Sequence, residues 1–442
     1  MLDRLFQLRS NGTTIRTELV AGMTTFAAMA YILAVNPAIL SDGTGMDRQA
    51  LVTATALSSA LVTMLMAFLT NYPFAVAPGM GLNAFFTFTL VRGAGIPWPA
   101  ALGIVFYSGI LFLLLTITGL RARLIHSLPH ELKVAISAGI GLFIAFIGLQ
   151  NGGVVVHHDA TLVTLGNLKQ PAVLTVIAGI ILAGVLCHRR TPGALFITLL
   201  VITVAGFWIP NASGSGALTR LPDSGNWISR PPSLEPLFLK FDLGWFWSHW
   251  RQALPLVLTL LFLDVFDNLG TLIGLGQRAG YLDEHGNLPR LGRVLTADAG
   301  AAIVGSALGT STVTSYIESA TGIESGGRTG LTGIAVAGCF LLSLFLGPLI
   351  AIVPAVATAP VLVVVGILMM QGLHDLDLKD PTQVIPVGVT ILGMPLTFSI
   401  AEGLALGFVI HIGILVGLGR HRQIQPLSWI LTLLFVAQWM SR

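Results

Sequence analysis

Apolar runs about the length of a bilayer core recur through almost the whole chain, from Leu19 to Leu418. A helix needs about 20 apolar residues to cross the hydrocarbon, where no water can satisfy a free peptide group, so a chain with this pattern spans as helices or closes as a barrel. Runs of this length select helices. Of the 442 residues 54% are hydrophobic and only 10% charged. Ordinary soluble domains are roughly a quarter charged, so most of this surface cannot face water. The expected fold class is therefore an all-α polytopic membrane protein, and its 50 glycines suit helix backbones that approach closely. Cys187 and Cys339 lie in or beside apolar runs and imply no disulfide framework. The net charge of +3 is dispersed, with no basic run of the kind that tracks nucleic acid. No small-residue cleavage site follows the first apolar run, which is expected to be retained.

Seven spans are expected in the first half: Leu19–Val35, Ala50–Leu69, Phe74–Leu90, Pro99–Ile117, Leu132–Leu149, Ala172–Cys187 and Gly193–Ile209. The second half offers Leu254–Leu275, Leu331–Ile350, Ala355–Met370, Val384–Ile400 and Gly403–Leu418, with weaker candidates at Leu295–Leu308 and Thr310–Gly322. Leu427–Trp439 is short for a span and reads as an interfacial helix. With the N-terminus in the cytoplasm, all but seven of the 23 Lys and Arg fall inside. The seven are Arg48, Arg92, Lys169, Arg220, Arg230, Lys240 and Arg251, and four of them sit in or beside one long loop, which weighs little in the positive-inside rule. Both termini are accordingly expected on the cytoplasmic side.

That loop, with Pro231, Pro232, Trp245, Trp247 and Trp250, is the expected junction between halves. Residues 1–209 form a first repeat, 210–250 an extracytoplasmic linker, 251–420 a second repeat and 421–442 a cytoplasmic or interfacial tail. An odd span count in the first half makes the second enter the membrane in the opposite sense, the arrangement of inverted-repeat transporters. Two interruptions fit that symmetry: VAPGMG at Val76–Gly81 and GTSTVTS at Gly309–Ser315. Unpaired backbone costs several kcal/mol per group in hydrocarbon, so such breaks persist where protein or a cavity satisfies them, and paired breaks point to a substrate site.

Acidic residues within the expected spans are Asp264, Asp267, Asp298, Glu318 and Glu402, with no Lys or Arg at comparable depth. A carboxylate at the bilayer centre costs about 2.5 to 3.5 kcal/mol on insertion scales, so these groups are expected to be protonated, hydrogen-bonded or open to a cavity. Asp264 and Asp267 are three apart on one helix face, where like charges repel and one acid is expected to carry a proton. Asp264 also suits a plain hydrogen bond to a neighbouring helix. Glu318 follows the second break and falls in the first turn of the half-helix starting there, where free N–H groups can serve a ligand. Asn83 sits on the half-helix after the first break, facing Glu318 across the expected symmetry axis. It offers a donor and an acceptor, as a nucleobase edge does, although an Asn in a bundle is also ordinary helix glue. Asp298 and Glu402 lie near expected span ends and read as solvated or capping. His411 reads as packed.

These motifs resemble a known family, the AzgA-type purine permeases of the nucleobase and ascorbate transporter superfamily. The resemblance covers nearly the whole chain. It is carried by GTTIRTELVAGMTTFAAMAYILAVNP at Gly12–Pro37, APGMGLNAFF at Ala77–Phe86, FDNLGTLIG at Phe266–Gly274, YIESATG at Tyr316–Gly322 and GGRTGLT at Gly326–Thr332. It implies 14 transmembrane segments as a 7+7 inverted repeat with core and gate domains, short strands in spans 3 and 10, and a homodimer. It also implies that Asn83, Asp267 and Glu318 bind the purine, with Thr271 and Ser319 close by and Phe26 or Met80 as apolar wall. The wording of the two breaks is most similar to the adenine-transporting branch.

The expected activity is import of a purine nucleobase, adenine first and then hypoxanthine or guanine, by proton symport across a bacterial inner (plasma) membrane. Asp267, Glu318 and Asp264 are the candidate proton-coupling residues. The partners are the purine, a proton and the lipid bilayer; neither nucleic acid, nor a cofactor, nor a metal is called for. A uracil, xanthine or small-anion transporter of the same architecture is the first alternative, because fold alone does not select a substrate. A membrane-embedded enzyme would need a nucleophile, metal or cofactor motif, and the sequence has no HExxH, phosphate-binding glycine loop or Cys/His set. A channel fits poorly with few, buried acids set beside broken helices.

Overall fold

The structure is a computed structural model of the chain and describes residues 2–118, 130–211, 216–221, 227–283, 288–376, 379–424 and 426–440. Among the described residues nine helices are long and apolar enough to cross a membrane: Ile15–Ser41, Arg48–Thr70, Trp98–Ile117, Glu131–Asn151, Pro171–His188, Leu291–Leu308, Gly330–Ala351, Ala355–His374 and Ile400–Gly417. Ala194–Ala205 and Pro381–Leu396 are shorter apolar helices, and Trp250–Ala279 is a helix of 30 residues. Leu114, Ile117, Ile181, Leu342 and Leu392 are each more than half exposed on these helices. So much bare apolar surface fits acyl chains and not water.

Helix ends follow local chemistry. The Thr14 hydroxyl accepts from Thr17 N at 3.2 Å to open Ile15–Met29, and the Asp47 carboxylate accepts from Ala50 N at 2.7 Å to open Arg48–Thr70. The weak candidate Leu295–Leu308 lies in a helix, Leu291–Leu308, that starts a turn earlier than expected and stops at Gly309, whose φ of +85° needs a glycine. A Cβ at Gly309 would also run into Leu237.

Neither Phe74–Leu90 nor Thr310–Gly322 is one continuous helix. Four short strands are present among the described residues: β1 (Val76–Pro78), β2 (Val155–His158), β3 (Leu162–Leu165) and β4 (Val313–Ser315). β2 and β3 make an exposed hairpin between two helices, which the span reading did not anticipate. β1 and β4, from the two breaks, pair antiparallel with Val76 opposite Ser315 and Pro78 opposite Val313. Gly79 N donates to Thr312 O and Tyr316 N to Ala75 O, each at 3.0 Å, so the ladder extends past both strands. The free edge of β1 is covered by Thr63, whose hydroxyl donates to Val76 O and accepts from Val76 N at 3.0 Å. Each break thus satisfies its peptide groups with the other break and with side chains, as backbone at membrane depth must. After β1 the chain runs into the helix Met80–Ala84 and a nine-residue π-helix, Phe85–Gly93; after β4 it runs into the six-residue helix Ser319–Glu324.

The helices sort into two packing sets. Those within 15–41, 48–70, 98–117, 250–279, 291–308 and 330–343 surround the β1–β4 pair, while those within 130–151, 171–188, 194–205, 355–369, 381–396 and 400–417 pack chiefly on one another. In the second set the backbones of Gly141 and Gly366 touch, and a Cβ on either would meet the carbonyl oxygen of the other. The helix Pro426–Met440 has 15 residues and packs on Ile400–Gly417, with Trp439 Nε1 donating to Glu402 Oε2 at 2.6 Å.

Candidate functional site

β4 is gripped from two helices by buried polar side chains. On Trp250–Ala279, Asn268 is fully buried; its Oδ1 accepts from the Thr314 hydroxyl and from Ser315 N at 3.2 Å, and its Nδ2 donates to Asp264 Oδ1 at 2.9 Å. On Leu291–Leu308, Asp298 accepts from the Ser315 hydroxyl at 3.0 Å. Asp264 and Asp298 are 1% and 0% exposed, and the second carboxylate oxygen of each has no hydrogen-bond partner among the described residues. Asp298 therefore corrects the expectation of a solvated or capping acid. Its helix begins at Leu291, so it sits two turns inside, and the hydroxyl of β4 takes the place of water.

The other two acids are partly exposed, which separates them from the strand-holding pair. Asp267 is one helical step around from Asp264, and no hydrogen bond reaches its carboxylate among the described residues. Glu318 stands at the N-cap of Ser319–Glu324 and accepts from the Tyr31 hydroxyl at 2.6 Å. Asp267 and Glu318 stand on, or at the start of, two helices that pack on one another, Trp250–Ala279 and Ser319–Glu324. The structure brings together two accessible carboxylates beside a helix N-terminus, with little cationic charge to neutralise them. Such a pair accepts N–H donors readily and can share a proton.

Asn83 is fully buried on Met80–Ala84. Its Oδ1 accepts from the Ser311 hydroxyl, while its Nδ2 has no hydrogen-bond partner among the described residues. The amide thus leans on the opposite break rather than on Glu318, and it keeps a donor free. Thr271, partly exposed, lies one turn beyond Asp267 on the same helix. Ser319 is fully buried, and its hydroxyl accepts from Ala75 N at 2.9 Å, which fastens the chain just before β1. Met80 is 7% exposed, and Phe26, half-buried, packs edge-on against Phe340 at 5.1 Å between centroids.

Four residues that hold the site or its surroundings together escape a reading of the sequence. Tyr31 lies in an apolar run and passes for wall; Asn268 sits beside Asp267 and is masked by it; Thr63 shows no break or charge. Glu18 stands near a span start. It is nevertheless fully buried, accepting from Arg328 N at 2.9 Å, Thr329 N and Thr332 N at 3.2 Å and the Thr332 hydroxyl at 2.6 Å, at the start of Gly330–Ser343. The signal that could have found Tyr31 and Asn268 is their hydrogen-bonding capacity inside runs that offer no water.

Comparison with known proteins agrees with this architecture. Residues 16–406 match the family model described as "Permease family" (Xan_ur_permease). The chain is 40% identical to adenine permease AdeP of Escherichia coli over 437 residues, covering 99% of this chain and 95% of that protein. It is 40% identical to guanine/hypoxanthine permease PbuG of Bacillus subtilis over 448 residues, covering 98% of each chain. Among solved structures, the transmembrane domain of the cyanobacterial bicarbonate transporter BicA superposes with a TM-score of 0.66 at 16% identity, covering 88% of this chain and 97% of that one. At that identity the likeness concerns the fold alone. Taken with the buried acids and the paired strands, the sequence match makes the chain a member of this permease family, a multi-pass membrane transporter and not an enzyme.

Proposed function

We propose that this permease imports purine nucleobases, adenine first and then hypoxanthine or guanine, by proton symport across the bacterial plasma membrane. The observation that carries the reading is the pairing of Asp267 and Glu318, both accessible and beside the β1–β4 crossing, with the unpartnered Nδ2 of Asn83 on the opposite break. A purine edge alternates N–H donors with ring-nitrogen acceptors. Two carboxylates accept the N–H groups, and an amide N–H serves a ring nitrogen. The substrates named for the adenine and the guanine/hypoxanthine relatives belong to the same chemical class.

In this reading the 14 spans form two inverted repeats, residues 1–209 and 251–420, joined by the linker 210–250 and followed by the tail 421–442. The helices around β1–β4 act as the core that carries substrate, and the second packing set acts as the gate and dimerisation surface, in an elevator-like exchange. Phe26 and Met80 wall the purine, Thr271 adds a hydroxyl, and Ser319 holds the crossing in shape. A proton on one carboxylate of the Asp267–Glu318 pair, with Asp264 behind them, relieves their repulsion and lets the loaded core move.

The test is radiolabelled adenine uptake in a permease-deficient bacterium, comparing wild type with Glu318→Gln and Asp267→Asn at equal membrane expression. Uptake by wild type and its loss, on the order of a hundredfold, in both variants is expected if each removes a charge-assisted contact worth about 1.5 to 3 kcal/mol along with the proton site. Variants that transport like wild type would remove these residues from the site.

A further inference from the structure

We infer that Tyr31 is a positioning residue for uptake: its hydroxyl holds Oε1 of Glu318 and leaves Oε2 as the oxygen offered to substrate, an inference that rests on the purine reading above. The backbone at Glu318 is fixed independently, since Thr321 donates to the Glu318 carbonyl through its hydroxyl at 2.8 Å and its N–H at 3.0 Å. The side chain beyond it has three torsions, the last of them soft. Among the described residues the Tyr31 hydroxyl is the side-chain donor that reaches the carboxylate, which also feels the N–H of Glu318 itself.

The neighbourhood leaves no obvious substitute donor. The titratable groups facing Glu318 are Tyr31 from the first span, Asp267 from Trp250–Ala279 and Tyr316 from the end of β4. Asp267 is an acid like Glu318, and the Tyr316 hydroxyl is committed to Pro78 O at 2.6 Å. Tyr31 is 1% exposed, so its ring fills a packed position of its own. It also sits where the first span is interrupted, between Ile15–Met29 and Ile32–Ser41. The orientation of the substrate-accepting carboxylate is thus set by the junction of two helix segments, and movement at that junction would turn the acid.

The experiment is Tyr31→Phe, which keeps the buried ring and removes the donor. Initial rates of adenine uptake are measured against substrate concentration over a mildly acidic to mildly alkaline external series. KM is expected to rise roughly five- to tenfold, less than the worth of a whole charge-assisted hydrogen bond because the acceptor is misaligned and not removed, with Vmax changed less than about twofold. The pH profile of uptake is expected to change as well, because the Glu318 carboxyl loses a hydrogen-bond partner. Unchanged KM and pH profile, or a fall in Vmax alone, would overturn the proposal in favour of simple packing. A thermal-unfolding cycle on detergent-purified protein reads the same pair without transport. The loss caused by Tyr31→Phe should shrink by at least about half in a Glu318→Gln background, and an equal loss in both backgrounds would count against the pairing. Wild type that moves no purine would reject the purine reading, while this cycle still decides on Tyr31 and Glu318.

Discussion

The carboxylate of Glu18 accepts a 2.6 Å hydrogen bond from the hydroxyl of Thr332, 314 positions along the chain. Three backbone N–H groups converge on the same side chain, so the first span is fastened to the start of Gly330–Ser343 by one buried carboxyl group at a helix N-terminus. Glu18→Ala is expected to lower stability by about 3 to 5 kcal/mol, because it strands several buried donors at once. Thermal unfolding in detergent reads this as a large drop in Tm. A melt within a degree or so of wild type would show that water reaches these donors.

Asn268 joins Trp250–Ala279 to β4 through Ser315 N and to Asp264 through its own amide. Asn268→Leu keeps the branching of the side chain and removes its polar atoms. It is expected to cost roughly 3 kcal/mol and to abolish adenine uptake, since Ser315 N and one Asp264 oxygen lose their partner and the strand loses its register. Uptake and melting are measured on the same preparation. Normal transport by this variant would mean that β4 is held by β1 alone.

A pH effect is expected outside the membrane. Asp380 caps Pro381–Leu396, accepting from Thr382 N at 2.9 Å and from the Thr382 hydroxyl at 2.8 Å, and these bonds hold its carboxyl below the usual range. A depressed folded-state value means that the cap stabilises at neutral pH and that the gain is lost as pH falls through that value. The Tm gap between wild type and Asp380→Ala should therefore be present at neutral pH and close in acid below the ordinary carboxylate range. A gap that stays constant on acidification would deny the charged cap.

The long apolar helices and both breaks were legible because hydrocarbon imposes one rule on every residue it touches. VAPGMG and GTSTVTS stand out against apolar surroundings, and Asp267, Glu318 and Asn83 stand out beside them. What escaped the sequence is long-range pairing. Nothing near Glu18 in the sequence reveals donors more than 300 positions away, and Tyr31 reads as bulk until Glu318 is brought against it. Asp298 was misplaced because hydropathy starts its span at Leu295, while the helix begins a turn earlier at Leu291 and carries the acid inward. The β2–β3 hairpin was missed because its strands are too short and exposed to leave a hydropathy signal.

The most direct measurement is the steady-state accumulation of radiolabelled adenine by a permease-deficient bacterium expressing this chain, with and without an uncoupler. For a neutral base carried with one proton, about 100 mV supplies roughly 2.3 kcal/mol, or about fifty-fold accumulation before any pH gradient. Concentrative uptake that collapses when the uncoupler is added is the expected result. Cells that concentrate neither adenine, guanine nor hypoxanthine, or that do so undiminished by the uncoupler, would contradict proton-coupled purine import.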